Sequence, residues 1–427
     1  MVNLRIGRGF FKQLGWSFSS KIVAAALQLV IIVLLARGLA PSDFARVATA
    51  NVLVMAVVVL NGFGLVRKMQ FLRAQDADDP NLPAVFWVWR RFTLTSALLW
   101  LLSCVGAWLL TGHELFAALA PLSVWLVFEQ LTSLWNAISL TDGRAHELMP
   151  SYLWRRAPVV LVLIAALAAD LDVTWAWSLS LTAGSVLAYL TGRSRAVQWA
   201  RPLWPGRRPA GEVSFDFGFW WTELGGQLRD MDVVVITVIS ATTGGLYALP
   251  ARLVRPMNLV TAAAAQVAFP RIARQATVSQ RQLLVGTVFG TAPVAFIAAV
   301  TAAGAGLLPR LVGEDYAATV PVLRVLCLCA VAVGFAGLVV TFLQARSRAA
   351  NRFTGRLLMT VAILHLVAAA LAASVSGAIA AAWAVTGVTI AGSVVAYFRA
   401  IVECRHEMKE PAPAEGARGA AEPSSEA

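Results

Sequence analysis

Residues 220–240 read WWTELGGQLRDMDVVVITVIS, so that charged side chains between positions 223 and 232 lead directly into an apolar run. The whole chain has 427 residues, of which 59% are hydrophobic and 14% charged, and its mean hydropathy is +0.71. Apolar runs of about 18 residues or more, which continue along most of its length, are long enough to cross a hydrocarbon core as helices. The short alternating segments of a β-barrel are absent from the sequence. The sequence therefore predicts an all-α, polytopic membrane protein.

Twelve apolar segments are predicted to be transmembrane helices. The positions of arginine and lysine support this count, because cytoplasmic loops carry an excess of positive charge. Nearly all basic loop residues fall on the side that holds the N-terminus, whereas Arg37, Arg46 and Arg310 fall on the other side. We therefore expect both termini to be cytoplasmic. The predicted spans are residues 16–39, 44–66, 92–111, 115–140, 148–169, 173–192, 215–240, 245–268, 283–308, 317–343, 357–373 and 376–398.

The net charge of +12 comes from basic residues that are scattered over many separate segments. Such a distribution is explained by topology and by contact with anionic lipids of the inner leaflet. Nucleic-acid binding would need basic residues clustered on one face. We therefore expect membrane lipids, and no nucleic acid, among the partners.

Two landmarks recur at nearly the same interval along the chain. Phe44 aligns with Tyr247 and Arg144 aligns with Arg348, at offsets of 203 and 204 residues. This spacing predicts a duplication into two parallel six-helix repeats around a central cavity. The predicted units are an N-terminal six-helix bundle at 1–200, a cytoplasmic linker at 201–214, a C-terminal six-helix bundle at 215–400 and a disordered cytoplasmic tail at 401–427.

Three stretches carry a family resemblance: LLARGLAPSDFARVATANVLV (34–54), RDMDVVVITVISATTGGLYALPARL (229–253) and LPRLVGEDYAATVPVLRVLCL (308–328). The chain resembles the polysaccharide-transporter branch of the multidrug/oligosaccharidyl-lipid/polysaccharide (MOP) flippase superfamily. Phe44-Ala45 departs from the Phe-Gly that is usual in that family's first hairpin. The resemblance implies a bacterial inner-membrane flippase for O-antigen or exopolysaccharide biosynthesis. Its cargo would be an undecaprenyl-diphosphate-linked oligosaccharide, and its candidate protein partners are a polysaccharide polymerase and a chain-length regulator.

Arginines inside the predicted spans are the candidate ligands of a diphosphate headgroup. Ionisable residues at bilayer depth are costly and usually face a cavity or a partner, and guanidinium binds phosphate oxygens bidentately. Arg255 lies about 15 Å inside its span by helix rise, with Arg252 one turn before it and prolines at 250 and 256. Arg252 and Arg255 are therefore the leading ligands. The secondary candidates are Arg155, Arg156 and Arg229.

Four intramembrane carboxylates have two open roles: they could hold the arginines as structural pairs, or they could carry coupling ions. They are Glu129, Glu223, Asp230 and Asp232. On a regular helix, Glu223, Gln227 and Asp230 share one polar stripe, whereas Asp232 lies on the opposite side, where an i, i+3 ion pair with Arg229 is expected. His365 is expected to be a neutral, buried imidazole.

The nearest rival to a flippase is a cation or drug antiporter of the multidrug and toxin extrusion (MATE) type, for which we would expect carboxylates and aromatics rather than arginines. A non-transporting scaffold for glycan assembly is a second alternative. We expect no enzymatic activity, because outward loops are short and no nucleophile triad, metal cluster or nucleotide-binding fingerprint stands out. We expect no cofactor, and a proton or Na⁺ is the candidate coupling ion.

Overall fold

Helices make up nearly all of the described chain, as the apolar runs predict. The structure is a computed structural model that describes residues 8–76, 78–200, 213, 217–274, 278–346 and 348–409, and it has no strand in this part of the chain. The α-helices are α1 (Arg8–Gly38), α2 (Pro41–Gly62), α3 (Leu65–Gln75), α4 (Leu82–Thr111), α5 (Glu114–Leu119), α6 (Leu122–Thr141), α7 (Leu148–Ala168), α8 (Val173–Ala200), α9 (Phe217–Asp230), α10 (Asp232–Ile239), α11 (Ala241–Val254), α12 (Asn258–Arg274), α13 (Gln280–Gly304), α14 (Leu308–Val312), α15 (Thr319–Arg346) and α16 (Arg348–Lys409).

Membrane-length helices are present throughout the described chain. Within these residues, nine helical stretches are long and apolar enough to cross a bilayer. Six of them lie between Gly15 and Gly192, and the other three lie between Gln280 and Arg405. The polytopic helical fold is therefore confirmed, while the count of twelve spans stays a prediction.

The 62-residue helix α16 is folded back on itself at Gly377, whose φ of 74° interrupts the helical backbone. Positions on either side of this glycine meet: a Cβ atom on Gly392 would lie 2.6 Å from the Val361 side chain. The Arg399 guanidinium lies 5.7 Å from the centre of the Phe353 ring. Glycine suits this turn because it adopts positive φ without a Cβ clash. Each arm of the hairpin is long enough for one crossing.

The segment between 217 and 274 is built from broken helices. A turn at Met231 separates α9 from α10, and a 3-10 turn at Arg255–Met257 separates α11 from α12. Pro250 lies inside α11 and Pro256 lies in the 3-10 turn. Proline lacks an amide hydrogen and clashes with the preceding turn, so it interrupts the hydrogen-bond ladder. The first three pieces have 14, 8 and 14 residues, and each is too short to span a bilayer alone. α12 has 17 residues, the lower limit for a span.

The N-terminal helices pack directly on the broken helices. The Trp220 indole donates to the Val59 carbonyl at 3.2 Å, so that α9 packs on α2. At the other end of α2, Gly245 of α11 approaches the Pro41 backbone so closely that a Cβ atom would overlap it. The Tyr316 hydroxyl donates to the Leu39 carbonyl at 3.0 Å. These contacts join the parts of the chain that the sequence assigns to different repeats.

The predicted unit boundaries stay predictions, with one correction. α16 continues to Lys409, so residues 401–409 are helical and were wrongly included in the disordered tail. Residues 410–427 and nearly all of the predicted linker at 201–214 lie outside the described residues. All four cysteines are buried, and none of them forms a disulfide within the described residues.

Substitution of Gly245 tests the contact between α2 and α11. In Gly245→Ala the new methyl group must displace the Pro41 backbone, so we expect a clear fall in the melting temperature of the detergent-solubilised protein. Gly226→Ala on α9 is the matched control, because a Cβ atom there has no neighbour within 4 Å. The control should leave the free energy of unfolding unchanged or raise it by roughly 0.5–1 kcal/mol, because alanine has a higher helix propensity than glycine. Equal melting temperatures for both variants would contradict this packing.

Candidate functional site

The two helix breaks face each other and form one cluster of charged side chains. Arg255, in the 3-10 turn between α11 and α12, directs its guanidinium to the turn between α9 and α10. Its Nη2 lies 2.8 Å from the Asp232 carboxylate and its Nε lies 3.3 Å from the Asp230 carboxylate. Nη2 also donates to the Asp230 carbonyl at 3.3 Å. The discontinuities of two helices are therefore joined by a single arginine.

Asp232 is the centre of this cluster. Its side chain is only 6% exposed, and a buried carboxylate requires charged or hydrogen-bonding partners. Besides Arg255, the Tyr247 hydroxyl of α11 donates to its Oδ2 at 2.7 Å. The His365 Nε2 of α16 lies 3.2 Å from the same oxygen. Asp232 thus connects α10 to α11, to the 3-10 turn and to α16.

The predicted ion pair between Arg229 and Asp232 is not formed, so this prediction is wrong. It assumed a regular helix across positions 229–232, but α9 ends at Asp230 and α10 begins at Asp232, so Asp232 takes Arg255 as its partner. Arg229 is half-buried in the last turn of α9 and makes no hydrogen bond or ion pair within the described residues.

The proposed polar stripe on α9 has a different neighbour at each position. The Gln227 amide donates to the Val52 carbonyl of α2 at 3.2 Å. Glu223 lines a cavity of about 200 Å³, and Asp230 contacts Arg255. Each of the three side chains therefore lies where α9 meets a different part of the protein.

Arg252 joins α11 to α2. Its Nη1 donates to Asn51 Oδ1 at 2.9 Å and its Nη2 donates to the Ala48 carbonyl at 2.7 Å. Its Nε is buried and has no acceptor within the described residues. Arg252 lies one helical turn before Arg255, so the two guanidiniums are close while each contacts a different element. One N–H of Arg252 remains available for a ligand.

Arg155 belongs to a separate, fully buried ion pair with Glu129. Arg155 Nε donates to Glu129 Oε2 at 2.9 Å, and Nη2 forms a second contact with the other carboxylate oxygen. The Ser185 hydroxyl of α8 also donates to Glu129, at 3.2 Å. The pair therefore connects α6, α7 and α8. Arg156 beside it is half-buried and has no hydrogen bond or ion pair in the part of the chain that the structure describes.

The structure thus divides the predicted site residues into two groups. Arg252, Arg255, Asp230 and Asp232 surround the two helix breaks, whereas Arg155 and Glu129 pair with each other between α6 and α7. Sequence reasoning missed Asn51 and the contacts of Tyr247 and His365 with Asp232. A polar side chain in the middle of an apolar run, such as Asn51 or His365, was the available signal.

The fold is that of multi-pass membrane transporters of the MOP superfamily. A structure of the lipid II flippase MurJ in an inward closed conformation matches with a TM-score of 0.67 and 12% identity, over 92% of this chain and 90% of that chain. An inward-facing MATE transporter of the MOP superfamily matches with a TM-score of 0.65 and 13% identity, over 93% of this chain and 100% of that chain. At these identities the likeness concerns the fold alone.

The chain itself belongs to a family described as "Polysaccharide biosynthesis protein", whose model matches residues 34–303. A search of curated proteins finds no significant match. The family resemblance that the sequence motifs carry is therefore confirmed.

The pair of Arg155 and Glu129 is expected to stabilise the fold. Removing one partner leaves an uncompensated buried charge, at a cost of about 3–5 kcal/mol. We therefore expect Arg155→Met to lower the melting temperature strongly, and the double variant Arg155→Met/Glu129→Met to recover much of the loss. Arg46→Met is the matched control, because its ion pair with Asp43 is about half exposed and should contribute less than about 1 kcal/mol.

A different pattern would indicate that Arg155 contacts the cargo. In that case Arg155→Met would keep a normal melting temperature but lose transport, and the second substitution would not restore it.

Proposed function

We propose that the protein is a flippase that moves undecaprenyl-diphosphate-linked oligosaccharide units from the cytoplasmic to the periplasmic leaflet of the inner membrane, for O-antigen or exopolysaccharide biosynthesis. The observation that carries the proposal is the pair Arg252 and Arg255 at two facing helix breaks, in a chain of the polysaccharide biosynthesis family. Discontinuous helices near the bilayer midplane are typical of transporter binding sites. Their polar groups serve substrates that lipid cannot solvate.

The diphosphate is the part of the cargo that this site would bind. Phosphate oxygens are matched by the fork of N–H groups on guanidinium. Arg255 is 27% exposed, and Arg252 has an unsatisfied Nε. An entering diphosphate would replace the Asp230 and Asp232 contacts of Arg255 and take up the unsatisfied donor of Arg252. The polyprenyl tail would stay in lipid while the two halves rock by alternating access.

Asp232 is the carboxylate that we propose couples transport to protons. Arg255, His365, Tyr247 and, through Arg255, Asp230 are the charged and titratable groups around it. Arg255 cannot contact Asp232 and a diphosphate equally well, so cargo binding and proton binding at Asp232 are thermodynamically linked. His365 offers a proton acceptor beside the carboxylate. Glu129 pairs with Arg155 instead, which favours a structural role for it.

The fold does not distinguish this proposal from a MATE-type antiporter, since it matches both kinds of protein. The donors of the site favour the flippase. Asp230 and Asp232 offset the charge of the arginines, but the unsatisfied Nε of Arg252 is a hydrogen-bond donor that suits the oxygens of a diphosphate.

Substitution of the paired arginines tests the headgroup assignment. We expect Arg255→Ala and Arg252→Ala to reduce surface polysaccharide by at least about tenfold per amount of protein in the membrane, the effect of losing roughly 1.4 kcal/mol of binding. Arg255→Ala should also lower the melting temperature, because Asp232 loses its ion-pair partner. Arg255→Lys keeps the charge beside Asp232 but loses bidentate geometry, so it should fold normally and still export poorly. Arg310→Ala, at an exposed arginine outside the cluster, is the control. Normal export in both alanine variants would exclude the assignment.

Proton coupling is tested by replacing the Asp232 carboxylate with its neutral isostere. In proteoliposomes that contain a fluorescent lipid-linked sugar, transport by the wild type should change when a pH gradient of either sign is imposed. Asp232→Asn should transport at one rate regardless of the gradient, because it has no proton to exchange at this position. Asp142→Asn, which disrupts the separate ion pair with Arg73, should keep the response. If Asp232→Asn responds like the wild type, the coupling residue lies elsewhere.

A further inference from the structure

A second polar cavity lies apart from the arginine cluster, between α2, α4, α6 and α9. Its volume is about 200 Å³. Residues of both predicted repeats line it, since Glu223 belongs to α9 while the rest of the lining comes from the N-terminal helices. None of the residues that line this cavity belongs to the Asp232 cluster. The headgroup site described above therefore leaves this cavity without an assigned ligand.

The polar groups of the cavity are mainly acceptors. Thr93 directs its hydroxyl hydrogen to the Trp89 carbonyl one turn earlier, at 3.0 Å, so its oxygen has a lone pair left. Glu223 adds a carboxylate, which can only accept when ionised. The carboxamide of Gln130 makes no hydrogen bond within the described residues, and it offers donors and an acceptor. A ligand that matches these groups must carry several hydrogen-bond donors and at least one hydrogen-bond acceptor. Hydroxyl groups provide both.

The remaining walls are apolar and aromatic. Trp89 and Phe92 of α4 lie beside Val58 and Val59 of α2. Small-molecule sites typically combine such walls with a few placed polar groups. A pyranose ring has this dual character, because its hydroxyl groups lie around the edge and its C–H groups form apolar faces.

An aromatic contact lies next to the cavity, beside its lining residues Gly62 and Phe92. The rings of Phe63 and Trp220 stack at a centroid distance of 5.4 Å, and Phe63 also packs on Phe92 at 5.4 Å. The Trp220 indole is fixed by its hydrogen bond to the Val59 carbonyl. Since Trp220 lies in the first turn of α9 and Phe63 follows α2, this contact joins the two helices that contribute Glu223, Val58 and Val59 to the cavity.

We infer that this cavity is a saccharide subsite, in which Gln130 and Glu223 bind the hydroxyl groups of one sugar ring of the cargo. The inference rests on the proposed function, because it concerns the sugar of a lipid-linked unit. A diphosphate does not fit, since it only accepts and would face the Glu223 carboxylate. A cation such as tetraphenylphosphonium has no acceptor for the Gln130 amide hydrogens, and the cavity is smaller than the roughly 300–1,000 Å³ of sites for drug-sized ligands.

The test compares two lipids that differ only in the sugar. Native mass spectrometry measures binding of undecaprenyl diphosphate, with and without one attached hexose, to the full-length protein in detergent. The wild type should prefer the hexose-bearing lipid by about tenfold. Gln130→Leu removes the donors, and Gly62→Leu fills the cavity from a lining position where a Cβ atom meets nothing within 4 Å. Both variants should lose the preference and still bind the sugar-free lipid, which also shows that they fold.

Gly106→Leu is the matched control. Gly106 also has open space around its Cβ position, but it does not line the cavity, so this variant should keep the wild-type preference. Preference retained in both Gln130→Leu and Gly62→Leu, or a wild type that binds the two lipids equally, would overturn the subsite while leaving the headgroup proposal intact. A wild type that binds neither lipid would overturn the proposed function and the subsite together. Tetraphenylphosphonium binding that Gly62→Leu abolishes, without any sugar preference, would assign the cavity to cations.

Discussion

The fold around the candidate site depends on how one buried carboxylate is satisfied. Asp232 lies in an apolar bundle where an unpaired charge would cost several kcal/mol. Its partners are Tyr247 of α11, Arg255 of the turn that follows α11, and His365 of α16. Because these elements must converge on the same carboxylate, their relative positions are tightly constrained. The two helix breaks are held together by this interaction.

Broken helices make polar chemistry available inside the membrane region. A continuous helix satisfies its own backbone and presents only side chains, whereas a break frees backbone groups and directs new side chains inward. Here the 3-10 turn at 255–257 contains Pro256 and positions Arg255 opposite the turn at Met231. The proline and the charged residues that disfavour a regular transmembrane helix are thus the residues that form the site.

The two proposed binding regions have opposite character, which suits a cargo with two chemically different parts. Arg252 and Arg255 offer guanidinium donors for a diphosphate, whereas the cavity at Gln130 and Glu223 is rich in acceptors for hydroxyl groups. Both lie where the N-terminal helices meet the broken helices. Arg252 contacts α2 directly, so cargo binding there would act on the same contacts that hold the two parts together.

Sequence alone determined the helical membrane fold, the family and the identity of the unusual charges, because hydropathy over about 18 residues is a local property and charges inside such runs stand out. It also singled out Arg252 and Arg255, which the structure places beside the two helix breaks. It could not pair the charges. The predicted pair of Arg229 and Asp232 failed because helical periodicity ends at Met231, and the pairing of Arg155 with Glu129 joins residues on different helices. Partner choice depends on distances between segments that are far apart in the chain, and only tertiary packing sets those distances.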